Sequence, residues 1–243
     1  MAKPNRVYTD RDHEFRDDDV YAQTKYRLTL KWLGVFGVGQ GSRILNIGCG
    51  AGHFNDMAVA AGYRIFAIEP DLSAFKLAVS SQSDLLEVRH GGIFDVDLPE
   101  GFDAVVLHDV LEHIEADSDA LRVVKNALKT GGVLVISVPA LPSLFGFHDE
   151  ELGHFRRYTK RSLRLVVSQQ FKINKLRYIG MFGIPLVWWY SRRRRTPYPT
   201  QRLGGRGFMG YLMRIVCNTE AIFPLPLGTS LLCVAVKEST QDT

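Results

Sequence analysis

The sequence predicts an α/β protein organised around a parallel sheet. Between residues 43 and 138, short β-branched runs alternate with stretches of helical periodicity. Three of the runs stop at Gly48, Glu69-Pro70 and Pro139, as strands do where they meet loops. The chain has 243 residues and is 46% hydrophobic, enough to bury one full core. Strand, helix, strand at this spacing makes βαβ units with right-handed crossovers.

The elements follow in order. Residues 20–36 read as an amphipathic helix that caps one end of the sheet, within a helical cap spanning residues 1–42. Residues 44–47 are a strand ended by Gly48, and 53–62 a helix with Phe54, Met57, Ala58 and Ala61 on one face. A second strand at 65–68 runs into Glu69-Pro70, and a helix follows over 71–80. Strands are expected at 85–89 and 104–107. A helix over 117–129 closes at Gly131-Gly132, and a fifth strand spans 133–138. Residues 140–158 form a loop dense in His, Asp and Arg. Thr159 is the N-cap of a helix reaching residue 169. Strands at 171–179 and 229–236 flank an insertion, 181–228, in a domain that runs from 43 to 243.

Cys49, Cys217 and Cys233 are odd in number and form no C-x-x-C pair. A zinc cage or disulfide framework is therefore not expected, and a reducing, cytoplasmic setting is. The first 30 residues are polar and acidic, so no signal peptide is expected, and no apolar run is long enough to span a bilayer. Residues 1–150 carry 14 Lys and Arg against 22 Asp and Glu, whereas 151–243 carry 16 against 4. A basic C-terminal third suits an anionic partner, a phosphorylated substrate, a membrane surface or nucleic acid, or else is a solvated face balanced by the acidic half.

The glycines of Leu45-Asn46-Ile47-Gly48-Cys49-Gly50-Ala51-Gly52 follow a strand and open a helix. Without side chains, such a loop lets the backbone turn sharply and approach a ligand. Glu69 ends the next strand, where a carboxylate can accept both hydroxyls of a ribose. A dinucleotide fingerprint needs a third glycine where this chain has His53, and the Gly-Lys-Ser/Thr ending of a P-loop is absent.

With Glu69-Pro70-Asp71, Phe102-Asp103 and Leu128-Lys129-Thr130-Gly131-Gly132, this loop resembles the class I S-adenosylmethionine-dependent methyltransferases. The resemblance implies a seven-stranded, mostly parallel Rossmann-like sheet with an antiparallel last strand and helices on both faces. It implies S-adenosyl-L-methionine as cofactor. The expected cofactor residues in the loop and the next strand are Asn46, Gly48, Cys49, Gly50, Gly52, Glu69 and Pro70. Gly92, Ile93 and Phe94 are expected near the adenine, with Asp95 as a register-shifted alternative and Asp97 a turn residue. Tyr21, Arg27 and His108 complete the set. Where the family usually has Asp before the loop, this chain has Asn46; it either weakens the cofactor site or simply orders the loop.

His108-Asp109-Val110-Leu111-Glu112-His113 resembles the ubiquinone-biosynthesis type of O-methyltransferase. That resemblance implies a divalent metal on Asp109, Glu112 and His113. His113 is alternatively a general base, or it and Glu112 orient the loop. His148-Asp149-Glu150-Glu151-Leu152-Gly153-His154-Phe155-Arg156-Arg157-Tyr158-Thr159 resembles a bacterial subgroup associated with glycan, glycolipid and small-metabolite pathways. His148 and His154 are base candidates there. Arg156 and Arg157 either hold an anionic substrate or pair internally with Asp149 or Glu150.

Trp188, Trp189 and Tyr190 beside Arg192–Arg195 suit a segment, 181–195, lying on a lipid surface, or a lid over an apolar substrate, or a dimer or core contact. The expected function is methyl transfer to a small-molecule, glycan or lipid-linked acceptor, at oxygen, with no nucleic-acid partner. The alternatives are a nicotinamide-dependent oxidoreductase and a non-catalytic partner protein of the same fold.

Overall fold

The computed structural model describes residues 19–80, 83–194, 208–223 and 225–239. Its helices are α1 (Val20–Val35), α2 (His53–Ala60), α3 (Leu72–Ala78), α4 (Asp117–Ala127), α5 (Phe147–Glu151), α6 (Lys160–Val167), α7 (Ile184–Trp188) and α8 (Phe208–Ile222). Its strands are β1 (Arg43–Ile47), β2 (Arg64–Glu69), β3 (Leu86–His90), β4 (Phe102–His108), β5 (Leu128–Pro139), β6 (Lys172–Ile179) and β7 (Ser230–Val236).

The seven strands form one sheet in the order β3-β2-β1-β4-β5-β7-β6. β1 to β5 are parallel, and β7 inserts antiparallel between β5 and β6. The expected topology is therefore present. Strand alternation builds the two core faces. Leu45, Ile47, Val105, Leu107, Leu134 and Ile136 point to one side, against Leu121 and Val124 of α4 and Leu163 and Val167 of α6. Ile44, Ile65, Ala104, Val106 and Val133 point to the other, against Leu28, Trp32 and Leu33 of α1 and Phe54 and Ala58 of α2.

Caps set several helix starts. The Asp19 carboxylate accepts from the Ala22 amide of α1 at 2.9 Å, and Asp71 from Ser73 and Ala74 of α3 at 2.9 Å each. Thr159 caps α6 as expected, in a reciprocal pair with Ser162.

Three expectations change. The helix expected to cap one end of the sheet packs across a face and also against α8, because its apolar stripe matches that face. α4 ends at Ala127, and the Gly131-Gly132 turn lies inside β5. Leu128 pairs with Phe102, and pairing resumes at Val133 with Ala104, so residues 129–132 bulge out. The loop at 140–158 contains a short turn of helix at Pro142–Leu144 and helix α5.

The insertion leaves and re-enters the sheet at one place. Ile179, the last residue of β6, pairs with Ser230, the first of β7. Its tie is Glu220 of α8, a buried carboxylate that accepts from the Gly180 amide at 2.7 Å and the Phe182 amide at 3.1 Å. Arg177 reaches across to the Glu220 and Phe223 carbonyls. α7 continues into a π-helical turn, Trp189–Arg194. No helix among the described residues is long and apolar enough to cross a membrane. Arg195 lies outside the described residues.

Candidate active site

The carboxyl ends of β1, β2, β4 and β5 open into a cavity of about 940 Å³, the crevice where open α/β sheets take ligands. It has two chemically different ends.

At the first, β1 runs into the glycine loop. Gly48 has φ +66°, and a Cβ there would stand 2.6 Å from Val110 Cγ2. The loop is fastened to the next strand by Glu69, whose Oε2 accepts from the Gly50 amide at 2.7 Å and whose Oε1 accepts from the Asp71 amide at 3.0 Å. Glu69 is buried yet lines the cavity. Asn46 Nδ2 donates to Asn55 Oδ1 at 2.7 Å, so this amide joins the loop to α2. Pro70, Cys49, Gly92, Ile93 and Phe94 line the same end. The Asp95 carboxylate turns back to accept from the Gly92 amide at 3.1 Å. Burial, then the Glu69 charge, pushes the Cys49 thiol up to about 12, so it is an inert part of the wall.

Two expected cofactor residues do not reach the cavity. Gly52 caps α2 at φ +91°, and a Cβ there would stand 3.2 Å from Ala78 Cα; its role is close packing of the helix on α3. Arg27 binds Thr24 Oγ1 at 3.2 Å and Asn218 Oδ1 at 3.5 Å, on the other side of α1. Helical periodicity decides this, since Tyr21 and Lys25 share the cavity-facing stripe and Arg27 does not. Tyr21 lines the cavity, with its hydroxyl donating to the Ile179 carbonyl at 3.2 Å.

Lys25 is a cavity residue that the sequence reading missed. It is buried, and its ammonium pairs with the Asp109 carboxylate. Burial pulls Lys25 down, but the charge and hydrogen bond of Asp109 together with Tyr21 outweigh it and hold the lysine above its ordinary range; Asp109 is held low against its own burial. Asp109 has φ +55°, rare for a residue with a side chain, and also accepts from Ser137 Oγ at 3.1 Å. His108 shares a 2.9 Å hydrogen bond with Thr29 Oγ1 and lies between Tyr26 and Phe54. Burial, then the Lys25 charge, takes it down to about 3.

At the second end, two loops meet. The turn Leu111–His113 follows β4, and the Phe155 amide donates to the Glu112 carbonyl at 2.8 Å, pinning the 147–158 segment to it. Asp149 organises that segment. Its fully buried carboxylate accepts from the Gly146 amide at 3.1 Å, His154 Nδ1 at 2.9 Å and Arg157 Nε at 2.7 Å. Burial raises Asp149, but the bonds from His154 and Arg157 outweigh it and keep it below the ordinary range. Gly153, at φ +73°, makes the turn between α5 and His154.

This brings together His113 and His154, whose rings meet edge to face with centroids 4.6 Å apart, and Glu112. Ligand-capable atoms of these three lie within 4.8 Å of one another. Glu112 is fully buried, and its carboxylate bonds no other described residue. Burial, then the Asp109 charge, pushes it well above the usual carboxylate range, while burial and His154 bring His113 down to about 4. His148 is buried in the adjoining wall.

One expectation is corrected here. Asp109 is not in the cluster with Glu112 and His113, because Lys25 holds it; His154 takes its place. Of the two readings of the arginines the internal one holds: Arg157 pairs with Asp149, while Arg156 pairs with Asp117 at 2.8 Å rather than with Asp149 or Glu150. The insertion supplies an apolar wall, with Leu186, Val187, Met213 and Val216. Trp188 and Trp189 are about half exposed.

Residues 45–136 match the family model described as a methyltransferase domain. The chain is 33% identical over 103 residues to the mitochondrial ubiquinone biosynthesis O-methyltransferase of Schizosaccharomyces pombe, covering 40% of this chain and 38% of that protein. It is 31% identical over 137 residues to the tRNA U34 carboxymethyltransferase of Pseudomonas syringae pv. tomato, covering 54% and 40%. These matches span less than half the length of either relative. Among solved structures, it resembles the N-methyltransferase NodS of Bradyrhizobium japonicum in complex with S-adenosyl-L-homocysteine, at TM-score 0.63 and 16% identity over 95% of this chain and 94% of that one. A chain from the complex of the Haloferax volcanii Trm112 methyltransferase activator with a methyltransferase gives TM-score 0.65 and 16% identity over 96% and 97%. At such identities the likeness is one of fold. The family match over residues 45–136 and the order of the sheet agree on a methyltransferase-type, Rossmann-like domain.

Proposed function

We propose that this protein transfers the methyl group of S-adenosylmethionine to an oxygen of a small, glycan or lipid-linked acceptor. One observation carries the reading. The glycine loop with Glu69 and the cluster of Glu112, His113 and His154 face a single cavity, so a cofactor on the first and an acceptor at the second would share one chamber.

Each part has a task in this reading. Gly48 and Gly50 let the cofactor lie against backbone, and Glu69 takes the ribose hydroxyls with the lone pairs its two backbone bonds leave. Asn46 orders the loop through Asn55. The sulfonium already makes the methyl electrophilic, so the protein chiefly aligns the reactants and excludes water. The acceptor oxygen's lone pair forms the new O–CH₃ bond. The methyl–sulfur bond breaks, its electron pair returns to sulfur, and the hydroxyl proton passes to one of the histidines facing the polar end of the cavity, His113, His148 or His154. The apolar wall from α7 and α8 suits an acceptor with an aromatic or aliphatic part, which favours a lipid-linked or aromatic molecule over a bare sugar.

The test is turnover. Purified protein is incubated with S-adenosylmethionine and fractionated cell extract, and products heavier by one methyl are sought by mass spectrometry. A methylated product that disappears with Glu69→Ala supports the reading. Cofactor binding without turnover on any fraction supports the non-catalytic alternative.

A further inference from the structure

The insertion carries more apolar surface than walling the cavity requires. α8 turns Met213, Val216 and Glu220 towards the cavity. On the opposite side of the helix, Tyr211, Ile215 and Ile222 are spaced by four and seven residues, so they form one stripe. They are 63%, 45% and 71% exposed, and Leu212 and Phe223 widen the stripe. Single exposed apolar residues are ordinary, whereas a contiguous stripe marks a contact surface. We infer that this outward face of α8 docks on an anionic lipid surface, with the helix lying in the plane of the headgroups.

Charge, composition and length select that occupant. Residues 181–228 hold seven arginines, no lysine and one acidic residue, Glu220. Glu220 is buried, with its carboxylate tied to the Gly180 and Phe182 amides, so the insertion presents no carboxylate outward. Arg214, three residues after Tyr211, is exposed at the edge of the stripe. A contact between two copies of the chain would bring two such arginine-rich surfaces together with no carboxylate between them, whereas lipid phosphates complement them. Tyr211, Trp188 and Trp189 are exposed and are the residue types that settle at headgroup level. At 15 residues, α8 is short of the roughly 20 that a span requires, and its length suits a helix lying in the interface.

The placement bears on the acceptor. One side of α8 walls the cavity and the other meets the membrane, so a lipid-linked acceptor would pass from bilayer to site around a single helix. This consequence rests on the acceptor class in the proposed function; the docking itself is measured without acceptor or cofactor.

The full chain is co-sedimented with vesicles of phosphatidylcholine alone and of phosphatidylcholine and phosphatidylglycerol in equal parts. Sedimentation is expected with the mixed vesicles and much less with the neutral ones. It should weaken by about tenfold from about 0.1 M to about 1 M salt, as the screening length falls from about 10 Å to about 3 Å. The double variant Ile215→Asp, Ile222→Asp places two charges on the stripe and leaves the cavity wall intact; its partitioning should fall by about 100-fold. Circular dichroism checks its fold. Should it not fold, Ile222→Ser, at the most exposed position of the stripe, replaces it, with a loss of about tenfold expected. No sedimentation of the wild type with the mixed vesicles, equal sedimentation with both kinds, or sedimentation undiminished in the variant would each overturn the inference. So would a wild-type dimer in sedimentation velocity that the variant breaks, since a second copy would then cover the stripe. Calorimetry with S-adenosylhomocysteine tests the methyltransferase reading separately, and the double variant should bind it as the wild type does.

Discussion

Val110 ties the cofactor loop to the turn that carries Glu112 and His113, and a double-mutant cycle with Gly48 measures that tie. Gly48 has φ +66°, and an alanine there would place its Cβ 2.6 Å from Val110 Cγ2, 3.4 Å from Cγ1 and 3.6 Å from Cβ. Two costs follow for Gly48→Ala. The left-handed backbone costs an alanine about 1–2 kcal/mol, and overpacking against Val110 adds about 1–3 kcal/mol. Val110→Ala removes the clashing methyls and by itself costs about 1–2 kcal/mol, because the residue is only partly buried. In the double variant the clash is gone and the backbone cost remains. Its destabilisation should fall short of the sum of the singles by about 1–3 kcal/mol. Urea unfolding of the four proteins gives the cycle. Strict additivity, with Gly48→Ala still destabilising, would show that backbone strain accounts for the whole effect and that Val110 does not hold the loop.

Other perturbations test other parts. Glu69→Ala should weaken S-adenosylhomocysteine binding by about 1.5–3 kcal/mol through lost charge-assisted hydrogen bonds, with Glu69→Gln between it and wild type; equal affinities by calorimetry would remove Glu69 from the site. His108 is held down to about 3 when folded, so the folded state prefers the neutral ring. Its contribution to stability is full above about pH 6.5 and falls on acidification towards pH 3, and at pH 4.5 the loss is about 2–3 kcal/mol. Denaturation at pH 7.5 and 4.5 should therefore show a smaller acid loss in His108→Asn than in wild type; an equal loss would mean that Lys25 and burial do not act on this ring as described. Glu220→Ala removes the acceptors for the Gly180 and Phe182 amides, so hydrogen exchange there should accelerate well beyond that of β7; unchanged protection would mean that the insertion is anchored elsewhere.

The parts legible in the sequence are those set by local pattern. Near-continuous apolar runs mark β1, β2, β4 and β5, and the glycines after β1 with the acid ending β2 mark the proposed cofactor end. Burial in a parallel sheet leaves little freedom to such runs. The polar end was legible only as a density of ionisable residues. Which histidine faces which carboxylate depends on two loops about 40 residues apart being pinned by the bond between the Phe155 amide and the Glu112 carbonyl, and no periodicity encodes that contact. Lys25 was missed for a related reason. A lysine on an amphipathic helix reads as solvated, and only the placement of α1 over the sheet turns it inward. Arg156 and Arg157 invited an anion-binding role, but Asp117, distant in sequence, and Asp149 had already claimed them.

The most direct test of the cofactor assignment is calorimetric titration of the full chain with S-adenosylhomocysteine and, in parallel, with a nicotinamide dinucleotide. The account predicts saturable binding of one S-adenosylhomocysteine per chain and none of the dinucleotide. It also predicts loss of that binding in folded Gly50→Val, where a β-branched residue meets φ +57° and fills the space the cofactor needs. Binding of the dinucleotide in place of S-adenosylhomocysteine, or S-adenosylhomocysteine binding undiminished in Gly50→Val, would contradict it.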